Sequence, residues 1–169
     1  MVEINPLIAR RKSCRSFLPI EVNANDINIL LESARWAPSG KNGQPWRFVI
    51  VKEKEIKNQI AACSVYRAWM KDADTFIVVY LDKDKSYNYK KDTQAIGAAI
   101  ENICLQATAM NIGSCWIGEI LKNEVLVNKI LDVPEAYELM AVICIGYENK
   151  SMRQVDRVEL KELVYKEIY

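Results

Sequence analysis

Three short stretches of this chain carry residue types at spacings that could do chemistry. The first is Arg10-Arg11-Lys12-Ser13-Cys14-Arg15, four cations and a hydroxyl within six residues. Guanidinium groups make bidentate hydrogen bonds to phosphate oxygens, and serine adds a neutral donor. A solvated basic face would read the same way. The second is Ala37-Pro38-Ser39-Gly40-Lys41-Asn42-Gly43-Gln44-Pro45-Trp46. This Gly/Pro loop can offer hydroxyl and amide groups to a planar heterocycle, or serve as an ordinary turn. The third is Gly113-Ser114-Cys115-Trp116-Ile117-Gly118-Glu119. A glycine behind a strand lets a ligand approach the backbone closely, with the N–H of Gly118 or Glu119 as donor. A tight strand-to-helix turn is the alternative use. Lys150, Arg153 and Arg157 near the C-terminus read, on their own, as solvated charges.

What is missing narrows the chemistry. The chain has no histidine. That removes Ser-His-Asp and Cys-His nucleophile pairs and His-ligated metals. An enzyme with this sequence would rest its chemistry on an organic cofactor. No GxGxxG follows a strand and no GxxxxGK[ST] occurs, so neither a dinucleotide-binding Rossmann unit nor a P-loop is expected. The cysteines at 14, 63, 104, 115 and 144 are odd in number and never form CxxC. Neither a metal site nor a disulfide framework is expected. Basic neighbours favour the thiolate of Cys14, but inert packing is the expected role. With 23 basic against 22 acidic residues, bulk electrostatic binding to nucleic acid or membranes is not expected. No signal peptide and no ~20-residue apolar run is seen, so the expected location is cytoplasmic.

The elements that must hold these stretches can be placed by period and punctuation. Residues 1–169 suit one domain, with no repeat or linker. Asn5-Pro6 starts a helix running toward Arg11. Asn23 caps a second, with Asp26 three residues on and Ile27, Leu30, Leu31 and Ala34 on one face. Pro38 stops it. Strands are expected at 47–52, 75–81, 114–117 and 139–145, and helices at 56–62, 125–131 and 159–168. The longest helix runs from Asp92 to Asn111, with Gly113 as its C-terminal cap. It is apolar nearly all round, so part of its burial is expected from a second subunit. Apolar strands separated by helices predict an α/β (α+β) sandwich, a central mixed sheet covered by helices on both faces.

In this order the pieces resemble the nitroreductase family. Arg11-Lys12-Ser13-Cys14-Arg15-Ser16-Phe17 resembles the family's Arg-Arg-Ser-x-Arg-x-Phe opening. Ala37-Pro38-Ser39 with Asn42-Gly43-Gln44-Pro45-Trp46 resembles its Ala-Pro-Ser-x-x-Asn-x-Gln-Pro-Trp segment, the most specific piece. Asp92-Thr93, then Gly113 to Gly118, resembles its central block, and Gly146-Tyr147 with Arg157 and Leu160 its C-terminal end. The resemblance implies an FMN-dependent homodimer with two sites at the subunit interface. By that resemblance Arg11, Lys12 and Ser13 bind the phosphate and ribityl end, and Arg15 lies near the pyrimidine edge. Pro38, Ser39, Asn42 and Gln44 reach the same flavin from the other subunit. Ile117 and Gly118, with Trp116 in the same strip, pass along the isoalloxazine and supply the N5 contact. Arg157 helps hold the phosphate. Where relatives often carry Lys-x-Arg, this chain has Val155-Asp156-Arg157, so either Arg153 substitutes for the lysine or the phosphate is held more weakly. The implied activity moves hydride from NAD(P)H through flavin N5 to a nitroaromatic, quinone, enone or flavin by a ping-pong scheme. No catalytic side chain is implied. A non-catalytic FMN-binding or sensing module would use the same pocket. A third reading gives Arg10, Arg11, Lys12 and Arg15 to another phosphorylated ligand or an acidic partner.

Overall fold

The computed structural model describes residues 4–150 and 156–169. Four strands form one sheet: β1 (Trp46–Val51), β2 (Thr75–Asp82), β3 (Gly113–Ile117) and β4 (Tyr137–Gly146), in the order β1-β2-β4-β3. Side chains alternate between two apolar layers, as the period of a strand requires. Ile77, Val79, Leu81, Ala141, Ile143 and Ile145 face α2 (Ala24–Arg35) and α5 (Tyr89–Ala109). Phe76, Val78, Tyr80, Val142 and Cys144 face the opposite layer, built on α3 (Lys54–Ala62), α4 (Arg67–Met70) and α6 (Glu124–Leu131). Both faces are therefore covered, as expected.

The expected mixed sheet is corrected: β1–β2, β2–β4 and β3–β4 all pair antiparallel. Direction was hidden because covered faces make antiparallel strands as apolar as parallel ones. Parallel pairing enters at an isolated bridge, Ser13 to Ser114.

The helix caps explain the boundaries. Asn5 accepts from Leu7 N–H and opens α1 (Pro6–Arg10), and Asn23 accepts from Asp26 N–H. Helix α5 starts three residues earlier than expected. Asn88 caps it, and buried Asp92 reaches back to the N–H groups of Tyr87 and Asn88, both at 3.0 Å, and to Ser86 Oγ at 2.8 Å. Gly113 does not cap α5. Asn111 takes the left-handed conformation (φ 56°), the usual geometry just past a helix end. The C-terminal helix shrinks to one turn, α7 (Leu160–Leu163), and everything from 156 to 169 is exposed. Periodicity alone does not hold so short a helix without a surface to pack on. Among the described residues no helix is long and apolar enough to cross a membrane.

Candidate functional site

The basic stretch is stitched to the free edge of the sheet. Cys14 N–H donates to Ser114 O at 2.9 Å, Leu18 N–H to Tyr147 O at 2.8 Å and Asn149 N–H to Ser16 O at 2.9 Å. Residues 13–18 thus run along β3 and the exit of β4. The fit depends on Gly113. A Cβ there would stand 2.8 Å from Cys14 Sγ and 3.0 Å from Gly146 O. Arg11, Lys12, Ser13 and Arg15 consequently share one edge with β3. Arg11 Nε pairs with Glu101 of α5 at 3.2 Å, and Lys12 Nζ with Glu148 at 3.1 Å. Arg15 is exposed.

Along β3, Cys115 and Ile117 are buried while Trp116 is 43% exposed beside Gly97 of α5. Gly118 follows, exposed, with nothing within 4 Å of where a Cβ would stand. No neighbour in this protomer excludes a side chain there, so its bare backbone faces space a ligand could fill.

The loop between α2 and β1 holds unusual backbone. Lys41 (φ 54°), Asn42 (φ 55°) and Gln44 (φ 47°) are all left-handed without being glycine. Such residues cost of order 1–3 kcal/mol each and collect at functional sites. Ser39 Oγ accepts from Gln44 N–H at 3.1 Å, and Gln44 Nε2 donates to Asn42 O at 3.2 Å. Tyr87 fills the space a Cβ on Gly40 would need, and Lys41 Nζ lies 4.9 Å from its ring centre. Pro38 and Asn42 are exposed, Ser39 and Gln44 partly buried.

Within one protomer these two halves do not converge. The loop docks on Tyr87, beside Asn88 at the start of α5, whereas Arg11 meets α5 at Glu101. At ~1.5 Å per residue the two points of attachment are roughly 20 Å apart along the helix. Arg157 is exposed ahead of α7, and Arg153 lies outside the described residues.

Sequence reasoning missed Glu101, Glu148 and Tyr87, whose partners are remote in sequence and carry no local signal. It also favoured packing cysteines, which holds. Burial pushes the Cys14 and Cys115 thiols up, outweighing the pull of Lys12 on Cys14 and of Arg15 and Arg11 on Cys115.

A model of the nitroreductase family matches residues 8–65 and 61–147. The chain is 32% identical, over 92% of each chain, to an Archaeoglobus fulgidus protein named as an NADH dehydrogenase/NAD(P)H nitroreductase. It is 28% identical to an oxygen-insensitive NADPH nitroreductase of Helicobacter acinonychis, covering 89% of this chain and 90% of that one. A Desulfovibrio desulfuricans protein, solved under the name nitroreductase in complex with FMN, superposes with a TM-score of 0.91. It is 32% identical, and 99% of each chain is covered.

Proposed function

Since this chain belongs to the nitroreductase family, we propose that it is a homodimeric, FMN-dependent oxidoreductase using NAD(P)H. The observation that carries this reading is the edge assembled along β3. There a cationic segment with one hydroxyl is bridged to the start of the strand at Ser114, and Gly118 just past the strand's far end has an open Cβ position. Those groups fit FMN: Arg11, Lys12 and Ser13 suit its phosphate and ribityl chain, and Arg15 suits the electron-rich pyrimidine edge. Trp116, Ile117 and Gly118 supply a strip of backbone and ring for the isoalloxazine. FMN would supply the redox step, taking hydride at N5 and passing it to a nitroaromatic, quinone, enone or flavin in a ping-pong cycle. The side chains bind and orient; none is given a proton to move.

A second copy of the chain completes the site. Leu7, Trp36, Leu105 and Ala109 line an open groove between α1, α2 and α5, with Trp36 74% exposed. Val158, Leu160, Leu163 and Ile168 are also uncovered. Exposed apolar groups of this kind support the reading that a second copy covers them. In a two-fold dimer over the α5 face with the two helices antiparallel, the partner's Ser39 to Gln44 loop would reach the Arg11 end of this helix. That accounts for two halves ~20 Å apart in one protomer.

The test is the absorption spectrum of the purified protein, before and after anaerobic NADH and NADPH. A flavin band that either nucleotide bleaches, and a quinone or nitro compound restores, is the expected result. A band that resists both donors means a flavin-holding or sensing protein. No band even after added FMN removes the flavin reading, and polyanion-induced thermal shifts would then favour another phosphorylated ligand.

A further inference from the structure

One carboxylate beside the flavin strip has no part in the reading above. Glu119 directly follows Gly118 and opens a 3-10 turn, Glu119–Asn123. Its Oε2 accepts from Ser64 Oγ at 2.6 Å and from Val65 N–H at 3.2 Å, and Lys122 pairs with Oε1. Ser64 is buried, and its hydroxyl accepts from Tyr66 N–H at 3.1 Å. At the other end of the turn, Asn123 Nδ2 donates to Cys63 O at 2.6 Å. The corner between α3 and α4 therefore grips both ends of this turn.

The grip matters because of what precedes it. Gly118 has no side chain to anchor it and nothing packed around its Cβ position. A glycine in open space has more conformational freedom than any other residue. The Gly118 carbonyl accepts from Leu121 N–H at 3.2 Å within the turn, and the Glu119 carboxylate ties that turn to the corner between α3 and α4. Hydrogen bonds to an ionised carboxylate are roughly twice as strong as neutral ones.

Resting on the flavin reading of this strip, we propose that Glu119 is a positioning residue. Its carboxylate, anchored on Ser64 and Val65, fixes the Gly118–Glu119 peptide so that its N–H meets the flavin, while the side chain never touches the ring. Oxidised N5 accepts from such a donor. Reduced N5 carries its own hydrogen and gains less.

The test compares the dimeric protein with Glu119→Ala, Glu119→Gln and Ser64→Ala, using FMN as the probe. The Kd of oxidised FMN is read by fluorescence quenching and the midpoint potential by anaerobic titration. Loss of the clamp is expected to weaken oxidised FMN about tenfold in Glu119→Ala and Ser64→Ala. With reduced FMN held as before, that raises the midpoint by ~30 mV for a two-electron couple. Glu119→Gln keeps an acceptor for Ser64 and Val65 but loses the charge, so its Kd is expected to fall between those of wild type and Glu119→Ala. Ser64→Ala, the loss of one hydroxyl, carries the test if Glu119→Ala does not fold. A merely structural role would lower the melting temperature and leave the potential unmoved. Wild-type Kd and potential in Ser64→Ala overturn the clamp alone. A wild-type protein that binds no FMN overturns the flavin reading, and the clamp with it.

Discussion

Arg11 is held within the protomer by Glu101 of α5, its Nε 3.2 Å from the carboxylate. The family resemblance marks it as a phosphate ligand, while a basic run alone reads equally as a solvated face; its pairing with Glu101 comes from the fold. The two side chains are 24% and 43% exposed, and such pairs contribute only ~0–1 kcal/mol. A phosphate dianion can therefore draw the guanidinium away from Glu101. Arg11→Ala removes a charge-assisted bond of roughly 1.5–3 kcal/mol, so FMN is expected to bind about ten- to a hundredfold more weakly. Fluorescence titration reads this directly, and an unchanged Kd takes Arg11 out of the phosphate site. Gly118 behaves differently. Its type suggests close approach by a ligand, and nothing in the protomer lies within 4 Å of its Cβ position.

At the scale of elements, the site depends on a segment without regular structure lying flat against β3. Gly113 permits this. The atoms a Cβ would meet are Cys14 Sγ and Cβ and the Gly146 carbonyl, all in well-packed surroundings that cannot swing away. Gly113→Ala is expected to destabilise the fold by ~1–3 kcal/mol through overpacking, measured by urea unfolding. Residues 13 and 14 must also leave the strand edge, so FMN affinity falls with stability. Full stability in Gly113→Ala would show that the segment tolerates displacement. The sequence assigned Gly113 to the end of α5 because glycine commonly stands there. Asn111 had already taken that conformation, which left Gly113 free to solve a packing problem between strands.

At the scale of the molecule, the proposed function makes cofactor binding and assembly one event. Leu105 lies on the side of α5 left partly open, in the groove with Leu7 and Trp36. Leu105→Asp puts a charge where the second copy would sit, and a buried unpaired charge is strongly disfavoured. Monomers by analytical ultracentrifugation, with parallel loss of bound FMN, are the expected outcome. A monomer that retains FMN at wild-type affinity would mean that one protomer holds the flavin unaided.

By itself the sequence determined the local features: Asn5 and Asn23 as caps, the four apolar strands, the buried long helix, and three stretches with binding chemistry. These follow from near neighbours, whose spacing sets periodicity and capping. Only the tertiary structure decided the antiparallel strand order, the bridge from Ser13 to Ser114, the pairing of Arg11 with Glu101 and the anchoring of Glu119 on Ser64. Each of these joins residues far apart in the chain. Such pairings depend on how covered faces pack, and side-chain pattern along the chain does not encode that.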